Sequence, residues 1–332
     1  MAQMKYFYEL TISSSPHAHS PVTTQTIMRD VLIALVPALL GSIYFFGFRA
    51  LLVTLVSAAA CVFFEWGFCK VRKLHCKTYD LSAVVTGVLL AFVCPVTIPY
   101  WTIILGDFFA IVLVKMLFGG LGKNIVNPAL AGRAFLFSWP VLMSNWVKVG
   151  FDNAAGLLST ADAVTAATPM SAMHQGALPE ESILDMFLGN IGGCIGETSA
   201  LLLIIGFIYL LYRKVITARI PLAYIGTVAI LAFLFPQGND RIAWMAAQVF
   251  GGGLMLGAIF MATDYATSPV TKPGQIVYGI GCGVITILIR YFGGYSEGVT
   301  YAILCMNACA VLLDKIGRPV KFGAPKKEAA KK

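Results

Sequence analysis

Apolar stretches recur along this chain, and short polar segments separate them. Reading between charged residues, prolines and glycines, we predict ten membrane-spanning helices, at 27–46, 51–68, 82–96, 101–118, 125–143, 198–212, 220–235, 244–262, 276–291 and 299–313. Most of these stretches approach the roughly 20 apolar residues that are needed to cross about 30 Å of hydrocarbon. The pattern therefore predicts an all-α integral membrane protein.

The composition agrees with this prediction. Hydrophobic residues make up 58% of the 332 residues and charged residues only 12%, whereas soluble domains carry about 25% charged residues. The net charge of +8 comes from bases in short segments between apolar stretches, a pattern typical of membrane topology and not of nucleic-acid binding. The eight cysteines include no C-x-x-C, so neither a disulfide framework nor an all-cysteine iron–sulfur site is expected.

The distribution of charge predicts the orientation and the division of the chain. With a cytoplasmic N-terminus, nineteen of the 24 lysines and arginines fall on the cytoplasmic side, which favours both termini inside. The predicted parts are a cytoplasmic segment (1–26), a first five-helix repeat (27–143), an extracytoplasmic loop (144–197), a second five-helix repeat (198–313) and a basic cytoplasmic tail (314–332). The loop carries six acidic residues and one lysine.

Two short motifs recur with a constant offset of 174 residues. Pro-Val-Thr-x-Pro occurs at 95–99 and 269–273, and Phe-Gly-Gly occurs at 118–120 and 292–294. Because each half holds five spans, an odd number, the two copies must be inverted in the bilayer, with a broken helix in corresponding positions. The alternative is that both proline motifs are merely tight turns between helices.

The loop contains a hydroxyl-rich sequence that ends at Thr168. Asp162, Thr165, Ala166, Ala167 and Thr168 fit the pattern D-x-x-[S/T]-[G/A]-A-T, which resembles the flavinylation motif. In that motif a flavin transferase joins the phosphate of FMN to the last threonine. An unassisted threonine hydroxyl is a weak nucleophile and needs such help; the two alanines would admit the transferase, and Asp162 would be a recognition element. The alternative is an ordinary loop whose hydroxyls make turns and helix caps.

Further motifs accompany these features over essentially the whole chain. They are Asn-Pro-Ala at 127–129 and Met-Ala-Thr-Asp at 261–264. Together with the ten spans and the Thr168 motif, they resemble the family that contains the D subunit of the Rnf complex and the B subunit of the sodium-pumping NADH:quinone reductase. The B subunit usually has a longer N-terminal extension, so the Rnf D subunit is the closer match.

The resemblance implies a subunit of a ferredoxin:NAD⁺ oxidoreductase in the bacterial inner membrane, coupled to Na⁺ or H⁺ translocation. It also implies covalent FMN on Thr168, a second, non-covalent flavin such as riboflavin, and a sister subunit with its own covalent FMN. Nothing in the chain is typical of a site for ferredoxin or NAD⁺, so catalysis would need the other subunits. The competing hypothesis is a redox-silent transporter with inverted repeats, in which the loop is only a lid.

Three polar residues inside or at the ends of the predicted spans are candidates for function. Asp107 lies about seven residues into the fourth span and Asp264 lies at the second break. Both are candidates for an ion path, because an acid within the membrane is costly; a structural pairing of Asp107 is the alternative. Arg133 could contact a phosphate or an acid; a buried structural partner is the alternative. The isolated histidines do not suggest a metal site.

Overall fold

The computed structural model describes residues 22–73, 78–143, 146, 168–179, 181–238 and 240–317. All regular structure within these ranges is helical. The α-helices are α1 (Thr24–Phe46), α2 (Phe48–Val71), α3 (Ser82–Phe92), α4 (Tyr100–Phe108), α5 (Pro128–Leu136), α6 (Pro140–Met143), α7 (Pro169–His174), α8 (Ile183–Leu188), α9 (Ala200–Tyr212), α10 (Arg219–Leu234), α11 (Arg241–Phe250), α12 (Leu254–Leu256), α13 (Lys272–Phe292) and α14 (Val299–Leu313). A 3₁₀ turn covers Thr78–Asp80, and π-helices continue α4 (Phe109–Met116) and α12 (Gly257–Met261).

Three of these helices are long and apolar enough to cross a bilayer. They are α1, α2 and α13, with 23, 24 and 21 residues. A fourth candidate is α11 together with α12 and its π-helix, which are bent by 59° at a short break. Helices α3, α9, α10 and α14 are apolar but shorter. The chain is therefore a helical, multi-pass membrane protein, while the count of ten spans stays a prediction.

Two predicted spans differ from the helices observed. The fifth, expected as one helix over 125–143, begins only at Pro128, because the Asn127 side chain caps α5 by accepting from the N–H groups of Ala129 and Leu130. It is also interrupted at 137–139, between α5 and α6. The eighth, expected as one helix over 244–262, is interrupted by the three glycines at 251–253. Glycine is a poor helix former, and Gly252 has φ +64°, which is outside the right-handed helical region. The apolar pattern did not predict this break.

The first Pro-Val-Thr-x-Pro segment lies between α3 and α4, and the second leads into α13, of which Lys272 and Pro273 are the first residues. The first is held by Arg49 at the start of α2, whose Nε donates to the Val96 carbonyl at 2.8 Å. The second is held by Asp314 at the end of α14, which accepts from the N–H groups of Val270 (2.7 Å) and Thr271 (3.3 Å). A base therefore satisfies carbonyls at one break and an acid satisfies amides at the other, as irregular backbone inside a membrane protein requires.

The packing partners of the two halves correspond. Helix α2 packs on α3 and α4, and α10 packs on α11 and α13. Across the halves, α1 packs on α9 and α5 packs on α14. The α1–α9 contact is close, since a side chain on Gly206 would overlap the Ala34 carbonyl oxygen. One continuous buried core includes residues from both halves.

Candidate functional site around Thr168

Thr168 is buried at the start of α7. Its side chain is 8% exposed, and its hydroxyl oxygen accepts from the Ser171 N–H at 3.3 Å. The Ser171 hydroxyl donates back to the Thr168 carbonyl at 2.7 Å. Pro169 follows as the first helical residue, a position where the missing N–H costs nothing. The other motif residues, Asp162, Thr165, Ala166 and Ala167, lie outside the described residues.

A small cavity, which we call the Thr168 cavity, brings Thr168 together with residues that are distant in the sequence. Its lining is formed by Thr168, Pro169, Met170, Ile191, Gly192, Gly193, Glu197, Thr198, Gly252 and Glu297. Thr168 thus lies near two carboxylates, those of Glu197 and Glu297, and near three glycines, at 192, 193 and 252. The cavity joins the end of the loop to the break between α11 and α12.

Arg133 holds the two carboxylates of this cavity. Its Nη1 lies 3.1 Å from Glu197 Oε1, and its Nη2 lies 2.5 Å from Glu297 Oε2. Nη1 also donates to the Thr300 hydroxyl at 3.2 Å, and the guanidinium lies 5.3 Å from the Phe137 ring centroid. Both Arg133 and Glu197 are almost fully buried. In the structure, the charged partners of Arg133 are therefore two acids.

The same carboxylates lie near a thiol. Donor atoms of Cys194, Glu197 and Glu297 all lie within 4.8 Å of one another. A metal ion would have to compete with the Arg133 guanidinium, which already binds both carboxylates. The arrangement is therefore that of a buried salt-bridge cluster.

Arg290, near the end of α13, lies beside Gly252, which lines the Thr168 cavity. Its Nη1 donates to the carbonyl (2.6 Å) and to the side-chain oxygen (2.8 Å) of Gln248, and its Nε donates to the Glu297 carbonyl at 3.0 Å. Its own carbonyl lies 2.8 Å from His174 Nδ1, which fastens α7 to α13. No described residue is bonded to its Nη2.

Asp107 is fully buried among α2, α3 and α4. Its Oδ1 lies 2.7 Å from the Ser57 hydroxyl and 3.2 Å from Cys61 Sγ. The Ser57 hydroxyl also lies 2.8 Å from the Gly87 carbonyl oxygen. Asp107 Oδ2 has no partner among the described residues. Ser57 has one proton for two acceptors, and this conflict disappears if Asp107 is protonated and donates to Ser57.

Asp264 lies in a different part of the protein from Asp107. It accepts from the Thr267 hydroxyl at 3.1 Å and lines a second cavity, the Asp264 cavity, between the two halves. Among its lining residues are Met28, Ser82, Thr86, Lys115, Asn124, Asn127, Leu210, Phe260, Thr263, Asp264 and Tyr265, and Asp107 is absent from the lining. The structure therefore does not bring the two predicted ion-path acids into one cavity.

Two polar contacts fix the walls of the Asp264 cavity. Lys115 Nζ lies 3.1 Å from Glu65 Oε2 and 2.7 Å from the Ser82 hydroxyl. Asn127 Nδ2 donates to the Met261 carbonyl at 3.2 Å, which joins the start of α5 to the end of the π-helix after α12. This second contact crosses from one half to the other.

Comparison with known proteins identifies the family. A model of the NQR2, RnfD, RnfE family matches residues 11–323. The chain belongs to this family. Similar relatives include the D subunit of the Na⁺-translocating ferredoxin:NAD⁺ oxidoreductase complex of Acetobacterium woodii, 46% identical over 96% of each chain. The D subunit of the proton-translocating complex of Clostridium ljungdahlii is 44% identical over 94% of this chain and 96% of the relative. The D subunit of an ion-translocating oxidoreductase complex of Halorhodospira halophila is 36% identical over 93% and 94%.

In this member of the NQR2, RnfD, RnfE family, sequence reasoning missed Glu297, Arg290 and Gln248. Arg290 and Glu297 flank the second Phe-Gly-Gly motif. Charged residues next to that repeated motif, in a chain with few charges, were an available signal. Nothing in the sequence indicates that Arg133 and Glu297, 164 residues apart, would meet.

Proposed function

We propose that this chain is the D subunit of an ion-translocating ferredoxin:NAD⁺ oxidoreductase complex, where it carries electrons in a redox-driven Na⁺ or H⁺ pump. The observation that supports this most strongly is the 46% identity with the D subunit of the Acetobacterium woodii complex over 96% of each chain. The chain is not catalytic alone. Its partners are the other Rnf subunits, including a second subunit with covalent FMN, a flavin transferase during maturation, and the lipid bilayer.

Deleting the gene for this chain tests the assignment. Membrane vesicles from the deletion strain should lose ion uptake driven by reduced ferredoxin and NAD⁺, and the plasmid-borne gene should restore it. Unchanged uptake would contradict the proposal. Uptake that depends on NADH and a quinone instead would indicate the alternative, a B-type subunit of a Na⁺-pumping NADH:quinone reductase.

Covalent FMN on Thr168 is the second part of the proposal. The Thr168 cavity is too small for the flavin ring, but three glycines line it beside Thr168, so no side chain of theirs crowds a phosphoester on the Thr168 hydroxyl. The hydroxyl oxygen would bear the phosphoester and could still accept from the Ser171 N–H, since an ester oxygen keeps its lone pairs. When bound, the flavin would supply a carrier for one or two electrons.

Fluorescence of the purified chain in a denaturing gel tests this attachment. After co-expression with a flavin transferase, the fluorescent band should be lost in Thr168→Val and kept in Thr168→Ser and Thr165→Val. Mass spectrometry of the loop peptide should find the FMN adduct on Thr168. A wild-type chain without fluorescence would support the competing redox-silent transporter.

The second, non-covalent flavin, such as riboflavin, would occupy the Asp264 cavity. Apolar walls there suit the flavin ring, and Ser82, Asn127 and Asp264 offer hydrogen bonds to ring carbonyls and ribityl hydroxyls. Acid extraction of the wild-type chain should release one flavin that is not FMN. Asn127→Leu should release less of it while the covalent band persists. Equal release from both would remove this cavity from consideration.

The proposed topology is ten spans in two inverted five-helix repeats (27–143 and 198–313), with both termini cytoplasmic and the loop 144–197 extracytoplasmic. Two observations support it: the packing partners of the two halves correspond, and a charged side chain, Arg49 at one break and Asp314 at the other, binds the backbone there. Single cysteines placed in the loop should react with an impermeant maleimide from outside intact cells, and cysteines in the tail (314–332) should not. The reverse labelling would overturn this topology.

Asp107 and Asp264 remain our candidates for the ion path. Asp107→Asn should impair ion uptake and leave FMN attachment intact, because it lies in a different buried cluster from Thr168. Uptake at the wild-type rate would remove Asp107 from the path. Substitution of Asp264 with Asn tests the other candidate in the same assay.

A further inference from the structure

The Thr168 hydroxyl is hard to reach in the folded chain. Thr168 is only 8% exposed, and its hydroxyl oxygen accepts from the Ser171 N–H. The Thr168 cavity has room for about one water molecule, and the carboxylates of Glu197 and Glu297 line it. A phosphoryl group carried by a second protein therefore has no path to the hydroxyl while Thr168 lies in this cavity.

Attachment of FMN needs an open hydroxyl. The Thr168 oxygen would form a bond to the FMN phosphorus of a flavin dinucleotide, and the pyrophosphate bond would break. The nucleoside monophosphate would leave, and the hydroxyl proton would pass to a base of the transferase. Because the attacking and leaving oxygens lie roughly in line in phosphoryl transfer, the donor and the transferase must occupy the space in front of the hydroxyl.

Two buried methionines hold α7, the helix that Thr168 caps. Met170 and Met173 are both 1% exposed and belong to the core that the two halves share. Met170 lies against the break between α11 and α12, since a Cβ atom on Gly251 would lie 3.0 Å from Met170 Sδ and one on Gly252 would lie 2.9 Å from Met170 Cγ. The packing at this break therefore keeps the Thr168 hydroxyl buried.

One hydrogen bond joins α7 to α13. His174 Nδ1 lies 2.8 Å from the Arg290 carbonyl oxygen, and Nδ1 donates, because a carbonyl only accepts. Helix α7 has six residues, and it is not among the extensively packed helices in the described part of the chain. Segments with few packing contacts open locally at a lower free energy than global unfolding. Undocking of α7 can therefore leave the long apolar helices in place.

We propose that the flavin transferase modifies Thr168 only after α7 has separated from Gly252 and Arg290, so that the docking of α7 limits the rate of FMN attachment. This inference rests on the proposed flavinylation of Thr168. The transferase binds the undocked segment 168–174 and not a surface of the folded chain. The observed rate is then the rate for the open form multiplied by the fraction of chains that are open.

The rate of attachment to the folded chain tests the proposal. The unmodified full chain is purified in detergent, transferase and FAD are added, and the fluorescent band in a denaturing gel is followed with time. His174→Ala removes the bond to α13 and should raise the initial rate by about two- to tenfold, the usual effect of one hydrogen bond on an equilibrium. His174→Gln keeps a donor and should stay closer to the wild-type rate.

A variant outside the segment separates docking from recognition by the transferase. Gly252→Ala places a methyl group 2.9 Å from Met170 Cγ and should also raise the rate, although residue 252 is remote from Thr168 in the sequence. Gly176→Ala is the matched control, because Gly176 has a similar φ (+80° against +64°) and nothing within 4 Å of the added atom. It should keep the wild-type rate.

Hydrogen exchange measured by mass spectrometry reports the opening itself. Peptides that cover residues 169–177 should exchange faster in His174→Ala and Gly252→Ala than in the wild type, and the increase should match the increase in the rate of attachment, since both follow the open fraction. Peptides from α1, which is far from this segment in the sequence, should exchange at the wild-type rate.

Two failures are distinguishable. A chain with no fluorescent band after co-expression with the transferase would contradict the proposed flavinylation. Attachment at the wild-type rate in both His174→Ala and Gly252→Ala, with faster exchange in α7, would mean that Thr168 is modified in the docked state and would overturn the role of α7 alone.

Discussion

Replacing Arg133 with methionine should be among the most damaging single substitutions in the chain. The guanidinium contacts Glu197 and Glu297 directly, and Glu197 is only 4% exposed. Methionine fills a similar volume but leaves both carboxylates without a counter-charge. Removing one partner of a buried ion pair typically costs about 3–5 kcal/mol. We expect a loss in this range for Arg133→Met, since neither carboxylate has another salt bridge among the described residues.

The measurement is reversible unfolding in mixed detergent micelles, followed by circular dichroism. Glu197→Gln and Glu297→Gln should each cost less than Arg133→Met, because Arg133 keeps one carboxylate in each case. The triple variant Arg133→Met, Glu197→Gln, Glu297→Gln should be more stable than Arg133→Met alone, since residues in one network are not additive. Arg213→Met is a milder comparison: the Arg213 side chain is 46% exposed, and Asp30, although its side chain is only 7% exposed, keeps the hydrogen bond from the Tyr209 hydroxyl, so the loss should be smaller than for Arg133→Met.

Two outcomes would refute this reasoning. One is an Arg133→Met variant within about 1 kcal/mol of the wild type, which is the range of an exposed ion pair. The other is a triple variant that is less stable than the single one. Either result would mean that the carboxylates are not held as a charged cluster by Arg133.

Three other substitutions test packing and buried charge. Gly206→Ala should lower the free energy of unfolding by about 1–3 kcal/mol, because the added methyl group overlaps a backbone carbonyl of α1. Gly226→Ala is its control: Gly226 has open space around it, so the substitution should be neutral or stabilise by up to about 1 kcal/mol. Both are measured by unfolding in micelles. Lys115→Met should cost about 3–5 kcal/mol, because it strands buried Glu65, and adding Glu65→Gln should recover part of that loss in the same assay. Asp107→Asn should remove the infrared carbonyl band of a protonated carboxyl group; loss of carboxylate bands instead would contradict the hydrogen-bond count around Asp107.

Hydrophobic pattern alone predicted the long helices well. Helices α1, α2 and α13 lie on the first, second and ninth predicted spans, because length and uniform apolarity are local properties. The breaks at the two Pro-Val-Thr-x-Pro motifs were also predictable, since proline restricts the backbone before it. The interruption at 251–253 was missed although three glycines mark it, because an apolar window does not penalise glycine strongly.

The site was harder to predict than the helices. Thr168 is proposed as a site residue from a local motif, and its position at the end of the loop is a property of the sequence. Its surroundings are not, because Glu197, Gly252 and Glu297 reach the Thr168 cavity from separate parts of the chain. The choice of an acid as the partner of Arg133 depends on the same long-range packing. Charge at one position therefore indicated that a partner exists, but not which one.

Helix α5 connects the two cavities mechanically. Asn127 caps its start and binds the Met261 carbonyl beside the Asp264 cavity, and Arg133 binds the carboxylates of the Thr168 cavity. About six residues of α-helix separate these two side chains, a rise of about 9 Å. If flavins bind at both sites as we propose, α5 is one element of the first half that contacts both.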